Sequence, residues 1–209
     1  MNSTIRIMLA AVALGVCANQ SLAVMPHVFI GGNVQWNQPT GDFGDAQDDV
    51  EESIRQGNAS GVMGGQVDLG LTSNMGQIYA GYRIVDFDER QSNGDVEWRD
   101  NSRALAGVRW FILPTPITPT LGGGLSVGQT KGVFKQPGPV DDLIEELTSP
   151  TTVGWFLEGG AAVRLPQIPL GLNAELQYHR YNASFESEYV DIDFSISYLT
   201  YQLGAQFSF

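Results

Sequence analysis

Three residues near the C-terminus have the side chains that nucleophilic catalysis requires. His179, Ser184 and Glu186 offer a base, a hydroxyl nucleophile and an acid within one short segment, which is the combination found in serine-type triads. Triads are defined by geometry, however, and no spacing rule connects these three positions. A polar segment at the loop end of a strand accounts for them equally well. We therefore predict that the chain is not an enzyme.

Most of the acidic residues lie in four separate clusters. Of the 23 Asp and Glu residues, 20 fall within residues 42–52, 86–100, 141–146 and 186–193. The densest cluster, 42–52, lacks the spaced oxygen ligands and the turn glycine of an EF-hand loop. Such clusters are typical of solvated loops that attract cations without a defined site, so we predict no resident metal or cofactor. The net charge of −12 also argues against nucleic-acid binding, which requires a surface rich in lysine and arginine.

The third acidic cluster has a regular apolar pattern. Leu143, Ile144 and Leu147 have helical spacing, and Asp141 precedes them at a position suited to a helix cap. This pattern predicts a short loop helix over 141–147, which we interpret as a contact point for a partner.

Strands with alternating apolar and polar residues occupy the segments between the acidic clusters. Eight are predicted, over residues 28–36, 62–71, 77–85, 103–113, 120–129, 153–165, 170–178 and 194–209. Tight turns alternate with long loops between them, and no apolar stretch after residue 23 is long enough for a spanning helix. Closed barrels are the other structures that pair every backbone polar group in a membrane. The sequence therefore predicts an all-β fold, an eight-stranded antiparallel up-and-down transmembrane β-barrel with short periplasmic turns and long acidic extracellular loops.

Two features of the strands predict that their apolar face lies outside, whereas a soluble barrel would bury it. The polar face is rich in glycine and charge, which suits a narrow lumen. Aromatic residues lie on the apolar face near both ends of the strands, as in the interfacial girdles of membrane barrels. These are Trp36, Trp155, Tyr178 and Tyr201 toward the loops, and Trp110 and Phe207 toward the turns.

The N-terminus has the pattern of a secretory signal peptide. Arg6 precedes an apolar run over residues 7–16, and Ser21 and Ala23 supply the small residues of a cleavage site. We predict a cleaved signal peptide over 1–23 and one barrel domain over 24–209. The only cysteine, Cys17, lies in this signal, so the mature domain has no thiol for a disulfide or a nucleophile.

Three strand segments resemble the small outer-membrane barrels of the OmpA, OmpX and opacity type. They are residues 77–83, 106–111 and 120–128. The terminal Phe209 resembles the signal that the barrel assembly machinery reads in such proteins. The resemblance implies a monomer in the bacterial outer membrane, in contact with its lipid and lipopolysaccharide. A lipid A deacylase of this shape uses a His and a Ser two residues later, but the residue two after His179 is Tyr181.

Charged residues that face the lumen are the remaining candidates for a functional site. By alternation they are Asp68, Arg83, Arg103, Arg109, Glu158, Arg164 and Glu175, with His179 near the loops. Counting from the turns places Glu158 diagonal to Glu175, and Asp68 diagonal to Arg83, within reach of long side chains. Uncompensated carboxylates are costly in a confined lumen, so we expect Arg109 or Arg83 to pair with both glutamates and to plug the barrel.

These observations leave three functions open. The first is a structural or surface-interaction role, in envelope integrity or adhesion, with a host or surface ligand at the acidic loops. The alternative is a narrow pore for ions or small solutes, in which an arginine exchanges carboxylate partners and opens a gate, as small barrels of the resembled family are thought to do. The third is a lipid A-modifying enzyme. The fold hosts all three, because fold alone does not determine function.

Overall fold

A computed structural model of the chain describes residues 26–40, 61–85, 96–99, 102–113, 115–136, 143–164, 168–186 and 191–209. The predicted signal peptide over 1–23 and the acidic cluster over 42–52 lie outside the described residues, as do parts of the other acidic clusters. Among the described residues, no helix has the length and apolar character needed to cross a membrane.

The described part of the chain contains eleven strands. In chain order they are β1 (His27–Pro39), β2 (Val62–Thr72), β3 (Gly76–Val85), β4 (Val96–Arg99), β5 (Arg103–Phe111), β6 (Ile117–Gly128), β7 (Lys131–Gln136), β8 (Leu143–Thr148), β9 (Thr152–Arg164), β10 (Leu170–Glu186) and β11 (Asp191–Ser208). Eight of them close an antiparallel barrel in the order β1-β11-β10-β9-β6-β5-β3-β2. Each of the eight predicted strands coincides with one of these, so the predicted fold is confirmed.

The other three strands form a separate sheet at the loop end, in the order β4-β7-β8. The predicted helix over 141–147 is therefore wrong, because β8 begins at Leu143 and pairs with β7 from Gln136↔Leu143 to Lys131↔Thr148. A helix of two turns is marginal by itself. The neighbouring strand β7 instead offers this segment a full antiparallel ladder.

Burial alternates along the barrel strands, as their alternating apolar and polar residues predict. On β1, Val34 is 60% exposed and faces outward, whereas its neighbour Gln35 is 1% exposed and faces the lumen. Leu203 and Gln202 of β11 show the same contrast, at 68% and 2%. Soluble monomers rarely expose contiguous apolar surface of this extent. The outward belt is the lipid-facing surface of a transmembrane barrel.

The two ends of the barrel differ in their connections. At the turn end, β2 and β3 are joined by a tight turn in which the Ser73 N–H donates to the Gly76 carbonyl at 2.8 Å. The start of β1 and the end of the described chain meet at this end as well, because the Phe209 N–H donates to the Val28 carbonyl at 3.0 Å. At the loop end, β10 and β11 remain paired up to Glu186↔Asp191.

Candidate functional site in the barrel lumen

The lumen contains a buried ion cluster centred on an arginine of β5. The Arg109 Nε lies 3.1 Å from Glu158 Oε1 on β9, and its Nη2 lies 2.6 Å from Glu175 Oε2 on β10. Its Nη1 also donates to Gln77 Oε1 at 2.9 Å. These side chains are 3–6% exposed. We call Arg109, Glu158 and Glu175 the Arg109 cluster.

A glycine on the intervening strand makes this pairing possible. In the ladders, Arg109 of β5 lies opposite Gly122 of β6, and Gly122 lies opposite Glu158 of β9. A Cβ atom at residue 122 would lie 2.6 Å from Glu158 Oε1 and 3.0 Å from the Arg109 Cα. Because Gly122 has no side chain, the guanidinium extends across β6 and reaches the carboxylate two strands away.

Neutral donors complete the hydrogen bonding of the two carboxylates. Glu158 Oε2 accepts from the Tyr79 hydroxyl at 2.7 Å and from Gln177 Nε2 at 2.9 Å. Gln202 Nε2 donates to Glu175 Oε2, whereas the buried Glu175 Oε1 has no hydrogen-bond partner among the described residues. Tyr79 carries no charge, so its inward position on β3 is the only signal in the sequence that points to this contact.

The Tyr79 hydroxyl is positioned by a row of four residues that crosses four strands. Tyr79 lies opposite Gly107, Gly107 opposite Gly124, and Gly124 opposite Phe156. The two aromatic rings meet above the glycine pair, with their centroids 6.5 Å apart. A Cβ at residue 107 would lie 2.8 Å from Tyr79 Cζ and 2.9 Å from Phe156 Cζ. Small residues in the middle of the row therefore make room for the aromatic layer.

Arg83 forms a second centre nearer the loops and contacts no carboxylate of the described residues. Its Nη2 donates to Gln66 Oε1 at 3.0 Å and to Gln177 Oε1, and its Nη1 lies 2.6 Å from His179 Nε2. An arginine can only donate, so His179 accepts through Nε2, and we assign its proton to Nδ1. Gln177 connects this Arg83 cluster (Arg83, Gln66, Gln177 and His179) to Glu158.

The remaining predicted lumen residues lie apart from the Arg109 cluster. Asp68 is diagonal to Arg83 in the ladder, but its oxygens accept from Gln66 at 2.7 Å and Asn33 at 2.9 Å instead. Arg164 lies at the turn end, where its guanidinium stacks 4.1 Å from the centre of the Phe111 ring. The sequence predicts an ion-pair network of Asp68, Arg83, Arg109, Glu158, Arg164 and Glu175. Of these six residues, the three of the Arg109 cluster meet in ion pairs, Asp68 and Arg83 are linked through the amide of Gln66, and Arg164 is separate.

Arg103 lies directly opposite Arg83 in the ladder between β3 and β5. The two side chains diverge, because Arg103 Nη2 donates to the Thr152 carbonyl at 2.7 Å and its guanidinium stacks 3.7 Å from the centre of the Tyr181 ring. Like charges at opposed positions repel each other, and this divergence reduces that repulsion.

The geometry does not support a triad of His179 and Ser184. The two residues are an odd number of positions apart on β10, so their side chains lie on opposite faces of the sheet. The His179 ring is 1% exposed and stacks against Tyr198, with centroids 4.9 Å apart. Within the described ranges, no three His, Cys, Asp or Glu residues come together as a metal-binding group.

The predicted girdle residues lie on the outward face at two heights. Trp36 and Tyr201 are direct ladder partners toward the loops, and Trp155 packs against Tyr178 with ring centroids 5.6 Å apart. At the turn end, Trp110 and Phe207 are 55% and 44% exposed. The terminal Phe209 is 65% exposed beside Phe207.

A closed antiparallel barrel with an apolar exterior and a polar, filled lumen defines the class of small transmembrane β-barrels. Solved structures of that class are similar to this chain over most of its length, as the resemblance predicted. Neisserial surface protein A has a TM-score of 0.53 at 14% identity, covering 87% of this chain and 97% of that one. OprG from Pseudomonas aeruginosa has a TM-score of 0.52 at 12% identity, covering 88% and 96%. No protein-family model and no curated protein sequence matches the chain.

Proposed function

We propose that this protein is a non-enzymatic, integral outer-membrane protein with a role in envelope integrity and surface interaction. The observation that carries the proposal is the burial of the charged and polar side chains in the lumen. The Arg109 and Arg83 clusters occupy successive heights of the barrel, and their residues are 0–6% exposed. Side chains packed in this way would close the barrel to water at two levels, which supports a structural role better than a transport role. The acidic loops are then the part that meets partners at the cell surface.

The first test of this proposal is refolding into detergent, followed by recording in planar bilayers. We expect the unheated, folded protein to migrate faster on a gel than the heated sample, because a closed barrel resists unfolding by the gel detergent. The same sample should show no discrete single-channel currents. An unchanged gel mobility would contradict the membrane barrel, and regular small currents would contradict the closed lumen.

A narrow pore is the second candidate, and one observation favours it. Three buried polar atoms of the described residues have no hydrogen-bond partner, namely Gln35 Oε1, Arg103 Nη1 and Glu175 Oε1. Of these atoms, Glu175 Oε1 belongs to an ion-pair partner of Arg109, and this free acceptor would let the guanidinium exchange partners and open a path for ions. Discrete currents from the wild-type protein would favour this candidate over the first.

Assembly by the outer-membrane machinery yields a separate prediction about Phe209. Its ring is 65% exposed, and the residue adds one backbone hydrogen bond to the barrel. Deletion of Phe209 should therefore leave refolding in detergent unchanged. In cells, we expect the same deletion to reduce the folded outer-membrane fraction to a minor part of the wild-type level, measured by heat-modifiable bands in membrane extracts. Phe209→Tyr, which keeps an aromatic terminus, is the matched control, and equal assembly of the deletion variant would contradict the proposed signal.

A further inference from the structure

A cavity opens at the turn end of the lumen. Its volume is about 210 Å³, and both polar and apolar residues line it. We call it the turn-end vestibule and define it by Thr72, Ser73, Asn74, Arg164, Gln206 and Ser208. A hydrogen bond from Gln77 Nε2 to Gln206 Oε1 at 2.7 Å separates it from the Arg109 cluster above. The vestibule therefore lies on the turn side of the contact between Gln77 and Gln206.

Arg164 is the cation of this pocket, and its guanidinium is held in place. One face stacks on Phe111, 4.1 Å from the ring centre. Nη2 donates to the Ser73 carbonyl at 2.8 Å, and Nη1 contacts Asn74 Oδ1 at 3.5 Å. A guanidinium has five N–H donors, and the described residues engage two of them, which leaves three for a ligand. A planar, preoriented fork of this kind matches the two oxygens of a carboxylate or phosphate.

No side-chain carboxylate of the described residues competes for Arg164. None of the described residues that line the cavity is an aspartate or a glutamate, and the described chain holds no ion pair to Arg164 within 4.0 Å. The hydroxyls of Thr72 and Ser208 and the amide of Asn74 offer further donors.

We propose that the turn-end vestibule binds a small oxyanion, a carboxylate or a phosphate, presented from the periplasmic side. Arg164 supplies the charge and a bidentate contact, and the turn hydroxyls and amide complete the coordination. The hydrogen bond between Gln77 and Gln206 lies between the pocket and the Arg109 cluster, so we expect the pocket to hold the anion rather than to conduct it. This site is independent of the surface role of the loops.

The experiment is an NMR titration of the ¹⁵N-labelled protein, refolded in a maltoside detergent whose headgroup carries no phosphate. Inorganic phosphate and acetate are added separately, at ionic strength held constant with sodium chloride. We expect saturable shifts confined to the amides of Ser73, Asn74 and Ser208. The stronger of the two probes identifies the phosphate or the carboxylate as the preferred group.

Three variants decide whether Arg164 is responsible. Arg164→Gln should weaken the affinity by about tenfold or more, because charge-assisted hydrogen bonds are lost. Arg164→Lys keeps the charge without the planar fork, so its affinity should lie between those of the wild type and Arg164→Gln. The lysine variant serves as the test if the glutamine variant does not refold. Arg180→Gln, at the exposed loop-side position on β10, should bind as the wild type does. Shifts that do not saturate, or that persist unchanged in both Arg164 variants, would overturn the proposal.

Discussion

Arg109→Gln is expected to destabilise the folded barrel by about 3–5 kcal/mol, because removing one partner of a buried ion pair leaves an uncompensated charge. Here a single substitution leaves two carboxylates, those of Glu158 and Glu175, without their only ion-pair partner among the described residues. Unfolding by urea in lipid vesicles, followed by tryptophan fluorescence and the gel shift, measures the free energy of unfolding directly.

Two matched variants isolate the electrostatic origin of that loss. Arg109→Gln combined with Glu158→Gln and Glu175→Gln removes all three charges and should recover most of the stability, because neutral amides can replace the ion pairs with hydrogen bonds. Arg180→Gln at an exposed position should change stability by no more than about 0.5 kcal/mol. If Arg109→Gln were no more destabilising than Arg180→Gln, the cluster would have no structural role.

Gly124→Val is expected to cost about 3 kcal/mol or more, or to prevent refolding, because the lumen has no room for a side chain at this position. A Cβ there would lie 2.7 Å from the Gly107 Cα and 2.8 Å from Phe156 Cζ, and closer still to the Ala106 carbonyl oxygen. Two of these neighbours are backbone atoms, which cannot move aside as a flexible side chain can. The yield of the fast-migrating band and the urea midpoint report the effect.

Gly32→Val is the matched control for this steric argument. Gly32 lies on the outward face of β1, and a Cβ there would meet no atom within 4 Å. The same substitution should therefore be neutral or slightly stabilising, since valine favours a strand and a lipid-facing surface. Comparable destabilisation by both variants would show that loss of strand glycine, rather than lumen crowding, is responsible.

The architecture was open to prediction because one physical pattern repeats in every strand. Alternation assigns each side chain to a face, so Gln35 and Val34 could be placed before any coordinates were known. The short connection between β9 and β10 also sets the register that puts Glu158 opposite Gln177. Alternation does not predict the structure of the loops, where tertiary pairing decides whether a short segment forms a helix or a strand. Leu143–Thr148 forms a strand because it pairs with β7.

The arrangement of the lumen was less predictable, because a face assignment does not determine where a long side chain ends. Arg83 and Arg109 both face inward and both have the reach to meet a glutamate. The choice of Arg109 depends on Gly122, which leaves an open path across β6. That gap involves three strands brought together by the closed barrel. It is not visible in the local spacing of any one of them.

Closure of the barrel has a consequence for the order of folding events. β1 and β11 pair from Phe29↔Ser208 to Pro39↔Tyr198, so the closing ladder joins residues separated by nearly the whole domain. Contacts of such sequence separation form slowly, because the intervening chain must be ordered first. Until then the sheet has two unpaired edges and an exposed apolar face, which are the features that promote association between chains. The interval between arrival of the last strand and closure is therefore when this chain most needs protection in the periplasm.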